Sequence, residues 1–271
     1  MATARAETAA PSGILGLRGR LDGRLTGVLS FVGFVALWQT VVFVTGISPI
    51  LLPSPGSVVD QFVEVWQLDL LLPAIGESLS ALAVGLGVAL VFGVVLGLAV
   101  GAFRWLDVLA SPYLYGLFAT PTIALMPLFV LWLGFGSSIK TLLVVIGALV
   151  PLTLSVKEGV QTVDESLLQA ARSFGAGRLD LFRKVVVPFT LPFIANGIRN
   201  GISRGFVGLL IVEMRLGSGG IGTQVMRSMR QFNTARMFAF VAVLVITALT
   251  LIMLSRKFEA RISRWREKVY V

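Results

Sequence analysis

Cysteine and histidine are both missing from this chain of 271 residues. Without cysteine there is no disulfide framework, no thiolate metal site and no cysteine nucleophile. Without histidine the commonest general base and the commonest metal ligand are gone. Most familiar hydrolytic and zinc chemistry is thereby excluded, and no catalytic or metal-binding residue is expected. Charge is scarce as well: Asp, Glu, Lys and Arg make up 14% of the residues, against roughly 25% in a soluble domain. That is too little for an aqueous surface, so a soluble globular protein is excluded. A disordered chain is excluded too, because 56% of the residues are hydrophobic. The net charge of +9 then reads as positive charge flanking membrane helices rather than as a nucleic-acid surface.

A membrane-spanning helix needs about 20 mostly apolar residues. The apolar runs fall at 27–46, 79–103, 108–135, 141–156, 193–213 and 237–254. The expected fold class is all-α, a polytopic membrane protein of about six transmembrane helices. The membrane domain covers 25–256, with a polar loop at 157–192 between the fourth and fifth spans. Residues 1–24 read as a short tail, since no small-residue cleavage site follows the first apolar run, and 257–271 as a basic tail. Lys and Arg gather on the side holding both tails and the 157–192 loop, which makes both termini cytoplasmic. The outer loop from Met214 to Arg236 goes against this rule, with Arg215, Arg227, Arg230 and Arg236 and no acid. It suits either an anionic substrate or an acidic face of a docking protein.

Three features of the spans stand out. Gly85, Ala89, Gly93, Gly97 and Gly101 recur every fourth position and form one small-residue stripe. Such a stripe lets another helix approach closely, either within the bundle or at a subunit interface. Pro121 and Pro127, with Met126 between them, interrupt the third span. Each proline removes a backbone donor and bends a helix, which fits either a transport pathway or a simple kink. Arg199 and Arg204 lie about 10 and 18 Å into the fifth span at ~1.5 Å per residue. Arg199 can snorkel to the headgroups. Arg204 is too deep for that, and a charge at such depth normally faces a cavity or a partner. Glu213 lies on a similar helix face but ~13 Å further along, too far for contact in an unbroken helix.

In the 157–192 loop, Asp164 and Glu165 read as a helix start and Gly175 as its left-handed stop. A second amphipathic piece from Arg178 to Val187 ends at Pro188. The spacing is more telling. Gln169-Ala170-Ala171, three residues, Gly175, nine residues, then Val185-Val186-Val187-Pro188 closely resembles the cytoplasmic signature of ATP-binding-cassette (ABC) importer permeases. That signature runs Glu-Ala-Ala, three residues, Gly, nine residues, Ile, one residue, Leu-Pro. Ala170, Ala171, Gly175 and Pro188 match it outright, while Gln169, Val185 and Val187 are conservative departures. Leu51-Leu52-Pro53-Ser54-Pro55, Thr120-Pro121 through Met126-Pro127-Leu128-Phe129, and Leu133-Gly134-Phe135-Gly136 look like the nitrate/sulfonate/taurine group of these permeases. Gly197-Ile198-Arg199 and the later Glu213 fit the same group.

The resemblance implies a type I importer permease fold in the bacterial inner membrane. It implies a second permease copy as a homodimer, two ABC ATPase subunits and an extracytoplasmic substrate-binding protein. ATP and magnesium would sit on the ATPases, which grip the coupling helix around Gln169, Ala170, Ala171, Gly175 and Pro188. This chain has no Gly-Lys-Ser/Thr phosphate loop and needs no cofactor of its own. Arg204, Arg199, Glu213, Pro121, Met126 and Pro127 are the candidate pathway residues, for a small anion such as a sulfonate, taurine or nitrate. The rival readings are an ion-gradient-driven secondary transporter and a membrane-embedded enzyme. The first often carries paired broken helices, and no second copy of the Pro121/Pro127 pattern occurs. The second would need an intramembrane carboxylate pair, and Glu213 is the sole acid bordering a late span.

Overall fold

The computed structural model describes residues 15–262, with side chains from 25 to 261 apart from 258. In chain order the helices are α1 (Leu15–Thr45), α2 (Pro55–Gln67), α3 (Leu71–Ala102), α4 (Arg104–Ala119), α5 (Met126–Leu133), α6 (Ser137–Gln161), α7 (Glu165–Ser173), α8 (Arg178–Leu181), α9 (Val187–Leu216), α10 (Ile221–Arg230) and α11 (Thr234–Ile262). Among the described residues every regular element is helical. Five segments, carrying α1, α3, α6, α9 and α11, are long and apolar enough to cross a bilayer. The pair α4 and α5 makes a sixth if counted as one crossing, bent by 90°. Helix α1 begins at Leu15, inside the stretch expected as a tail; residues 1–14 lie outside the described residues. Helix α11 likewise continues to Ile262, and 263–271 lie outside them.

The bundle is organised around α6. The small-residue stripe of α3 faces it, and α3 and α6 descend side by side. A Cβ added at Gly85, Gly97 or Gly101 would lie 2.5–2.6 Å from a carbon of Val144, Val156 or Val160. Beside α3, α9 runs antiparallel to α6 and presents its own glycines. Gly197, Gly201 and Gly205 meet Leu152, Ala148 and Val144, while Gly147 of α6 meets the Arg204 backbone. The stripe is therefore spent on packing within the chain and is not free to form a subunit interface. Much of α6 is consequently buried, including Leu143, Val144, Ala148, Leu152 and Val156.

Beyond the start of α3, a second core closes that end of the bundle. Val65, Leu71, Ala74, Ile221, Val225, Phe240 and Val243 pack α2, α3, α10 and α11 together. Helix α2 starts where Ser54 caps it by accepting from the Ser57 N–H at 3.2 Å, with Pro55 in the first turn. There a missing N–H costs nothing, which accounts for the Ser-Pro pair in the sequence. The outer basic segment is thus folded rather than loose. Arg236 reaches back to Glu64 of α2 at 2.5 Å, while Arg215, Arg227 and Arg230 remain exposed.

Overpacking a tight core typically costs about 1–3 kcal/mol. Gly97→Val is expected to lower the detergent melting temperature and yield of the folded chain. Gly87→Val, at a glycine with nothing within 4 Å of the added carbon, should leave both unchanged.

Candidate functional site

Where α4 meets α5, the chain gives up helical hydrogen bonding for a few residues. Pro121 lacks the N–H that would continue α4, and Thr120 turns its hydroxyl back to the Gly116 carbonyl at 2.7 Å. A short 3₁₀ turn, Thr122–Leu125, follows. Pro127 does not kink anything: it sits in the first turn of α5, a position that needs no donor. The two prolines expected to act alike therefore differ, one making the break and the other starting the next helix.

The break opens onto a cleft of about 450 Å³ walled by α4, α6 and α9. Its lining is mainly apolar, with Thr120, Thr122, Ser203 and Arg204 as polar contributors. Arg204 lies at the level of Gly147, near the middle of α6. Its guanidinium carbon is 4.0 Å from the centroid of the Phe118 ring. Of the candidate pathway residues, Arg204 and Pro121 line this cleft. Met126 is instead buried with Phe129, Ile139, Leu143 and Val212, and Pro127 is not among the lining residues.

Arg199 and Glu213 are also elsewhere. Arg199 does not snorkel freely; it pairs with Glu259 of α11 at 3.0 Å and donates to Asn196 Oδ1 at 2.6 Å. Glu213 is fully buried at the α10 end of the bundle. Ser78 of α3 donates to its Oε1 at 2.8 Å, and the Gly222 N–H of α10 donates to Oε2 at 3.0 Å. Lys140 of α6 stands 3.6 Å from Oε1 and donates to the Gly219 carbonyl at 2.9 Å. The loop before α10 closes over this carboxylate. Gly220 holds φ +91°, and a Cβ there would fall 1.9 Å from Glu213 Oε1, so a side chain has neither space nor a relaxed backbone. Glu213 ties four helices together rather than meeting Arg204.

A second ion pair, between a buried lysine and a half-buried aspartate, marks the opposite end of α6. Lys157 meets Asp107 of α4 at 2.5 Å and donates to Ser111 at 2.6 Å, while Gln161 donates to the other Asp107 oxygen at 2.8 Å. Neither lysine was singled out as a site residue by sequence reasoning. A lysine at each end of an apolar run looks like ordinary flanking charge, and only the burial of both reveals the pairing.

Past this end comes α7. Asp164 accepts from the Ser166 N–H at 2.9 Å, and that bond holds its carboxyl below the usual carboxylate range. Ala176 N–H donates to the Ala171 carbonyl and Gly175 N–H to that of Arg172. With Gly175 at φ +83°, this is the paired closure that ends a helix through a left-handed residue. Gln169 and Ala170 are exposed, Ala171 is half-buried, and Leu167, Phe174 and Leu179 show 46%, 92% and 63% of their surface. A π-helical turn, Phe182–Val186, precedes Pro188 in the first turn of α9.

A family model described as binding-protein-dependent transport system inner membrane component matches residues 89–267. The taurine transport system permease protein of Escherichia coli (strain K12) is 28% identical over 240 residues, covering 87% of each chain. The riboflavin transport system permease protein of Chloroflexus aurantiacus is 29% identical, covering 85% of this chain and 86% of its own. Among solved structures, a methionine ABC transporter in an inward-facing conformation superposes with a TM-score of 0.63 at 19% identity, covering 72% of this chain and 97% of that one.

Removing one partner from a buried ion pair costs about 3–5 kcal/mol, because the other charge stays buried. Glu213→Ala and Lys140→Met are each expected to destabilise the purified chain strongly in a thermal melt. The double variant should recover part of the loss; a strictly additive double would mean that the two charges do not support each other.

Proposed function

Because the chain belongs to the family of binding-protein-dependent transport system inner membrane components, of the nitrate/sulfonate/taurine-type subgroup, and is the permease of an ABC importer, we propose that its cleft between α4, α6 and α9 carries a small oxyanion, a sulfonate or a similar solute, across the inner membrane. The observation that carries this reading is the state of Arg204. Lys140, Lys157 and Arg199 all have a carboxylate partner. Among the described residues Arg204 is in no ion pair, and its known contact is the face of Phe118. An aromatic ring brings no lone-pair acceptor, so guanidinium N–H groups remain to donate to an oxyanion.

The remaining parts follow the same reading. The excess of Lys and Arg at the tails and the 157–192 loop puts both termini and α7 in the cytoplasm. A membrane domain of about 25–256 then stands between tails near 1–24 and 257–271. A second copy of the chain closes the open side of the cleft as a homodimer, and a binding protein delivers the solute at the α10 face. Two partner ATPases, which hold ATP and magnesium, grip the exposed apolar surface of α7 around Gln169, Ala170 and Ala171. Gly175 and Pro188 fix the angle at which that helix is presented. When the ATPases close, α7 moves with them and the bundle reorients.

Losing one charge-assisted hydrogen bond is worth about 1.5–3 kcal/mol, so Arg204→Ala should lower sulfonate uptake in the intact complex by about tenfold or more. Unchanged uptake would remove Arg204 from the pathway. Gly175→Val forces a branched side chain into φ +83°, where nothing else stands in its way. It should lower uptake and ATPase recruitment together while the melting temperature of the isolated permease stays close to that of the parent.

A further inference from the structure

Next to the cleft, towards the α7 end, lies a second cavity of about 470 Å³. Its lining differs in kind. Where the first is mostly apolar around one guanidinium, the second carries Lys157 and Glu158 together with Ser155, Asn196, Asn200 and Gln161. Two residues belong to both cavities, Phe118 of α4 and Pro151 of α6. Pro151 is buried in a packed helix and has no side-chain freedom. Phe118 is 39% exposed, and its ring lies against Arg204. It sits three residues before Pro121, at the end of α4 where the backbone ladder stops.

We propose that Phe118 is a positioning and partition residue: its ring holds the Arg204 guanidinium towards the first cavity and separates that cavity from the polar one beyond it. The guanidinium carbon lies over the face of the ring, which offers no lone-pair acceptor to its N–H groups, so an oxyanion does not compete with a hydrogen bond already made there. Passage requires the ring to leave, and the elbow at Thr120–Pro121 is the place where α4 can turn to move it. Once the ring is aside, Asn200, one helical turn (about 6 Å) before Arg204 on α9, is the next donor the anion meets. The inference rests on the cleft being the transport path, and it adds the barrier within that path.

The absence of cysteine makes the test direct. Ser203→Cys places a thiol in the first cavity and Asn200→Cys places one in the second. Each is introduced into the intact complex in sealed inside-out vesicles without ATP, and a charged, membrane-impermeant methanethiosulfonate is added. With Phe118 present, position 203 is expected to react at least tenfold more slowly than position 200. Phe118→Ala should close that gap, and Phe118→Tyr, which keeps the ring, should restore it. An unchanged rate at 203 in Phe118→Ala overturns the proposal, as does equal reactivity of the two positions in the parent. Uptake by Arg204→Ala is measured alongside. Loss of the anion reading with ring-dependent protection intact would leave the partition standing, whereas protection that ignores the ring would sink the partition alone.

Discussion

Everything in this bundle depends on how α6 is held. In a bilayer, helices gain little from burying apolar side chains against each other, because lipid is equally apolar. Close packing and buried polar contacts must supply the difference. Helix α6 receives both. Glycines on α3 and α9 bring two backbones against it, and both helices close on the same residues, Val144 and Leu152. Buried lysines pin its two ends, Lys140 to the Glu213 cluster and Lys157 to Asp107. The glycines set distance and the ion pairs set register. Because the stripes repeat, a helix could slide by one turn and still find glycines; the paired charges are what oppose that slide.

A rigid α6 is what allows α4 and α5 to be irregular. Unsatisfied backbone groups are costly in a membrane unless protein or a water-lined cavity receives them. The elbow at Thr120–Pro121 is placed against the wall of α6 and α9, and the Thr120 N–H and hydroxyl both donate to the Gly116 carbonyl, closing the end of α4. Helix α4 itself buries none of its residues fully within the chain, and its anchor is Asp107 on Lys157. Helix α4 therefore meets α6 through Asp107 on Lys157 near α7, and α9 through Phe118 on Arg204 near the middle of the bundle.

The sequence made some of this legible and concealed the rest for definable reasons. The four-residue spacing of Gly85 through Gly101 exposed the packing face, because helical periodicity is a local property. The left-handed stop at Gly175 was readable on the same grounds. Pro121 and Pro127 could not be told apart, since whether a proline breaks a helix or begins one depends on where neighbouring hydrogen bonds restart. The partners of Glu213 were out of reach altogether. Ser78 and Lys140 come from other helices far away in the chain, and a reading confined to helical spacing could only offer Arg204. Arg199 was misjudged in the same way: its partner Glu259 belongs to α11.

Those corrections sharpen the case for Arg204 rather than weakening it. Among the described residues no carboxylate pairs with Arg204, an expensive arrangement for an arginine in a membrane, while three other cations of the bundle are paired. Lys140, Lys157 and Arg199 each sit opposite an acid from a different helix. A carboxylate beside Arg204 would occupy the donors that an incoming oxyanion needs and would repel the anion as well. An aromatic face avoids both problems: it stabilises the cation by about 0.5–2 kcal/mol and brings neither a negative charge nor a lone-pair acceptor. The residual deficit is itself useful to a transporter. A site that satisfied its arginine completely would have no affinity for cargo, and one that offered it several fixed donors would hold the anion too tightly to release.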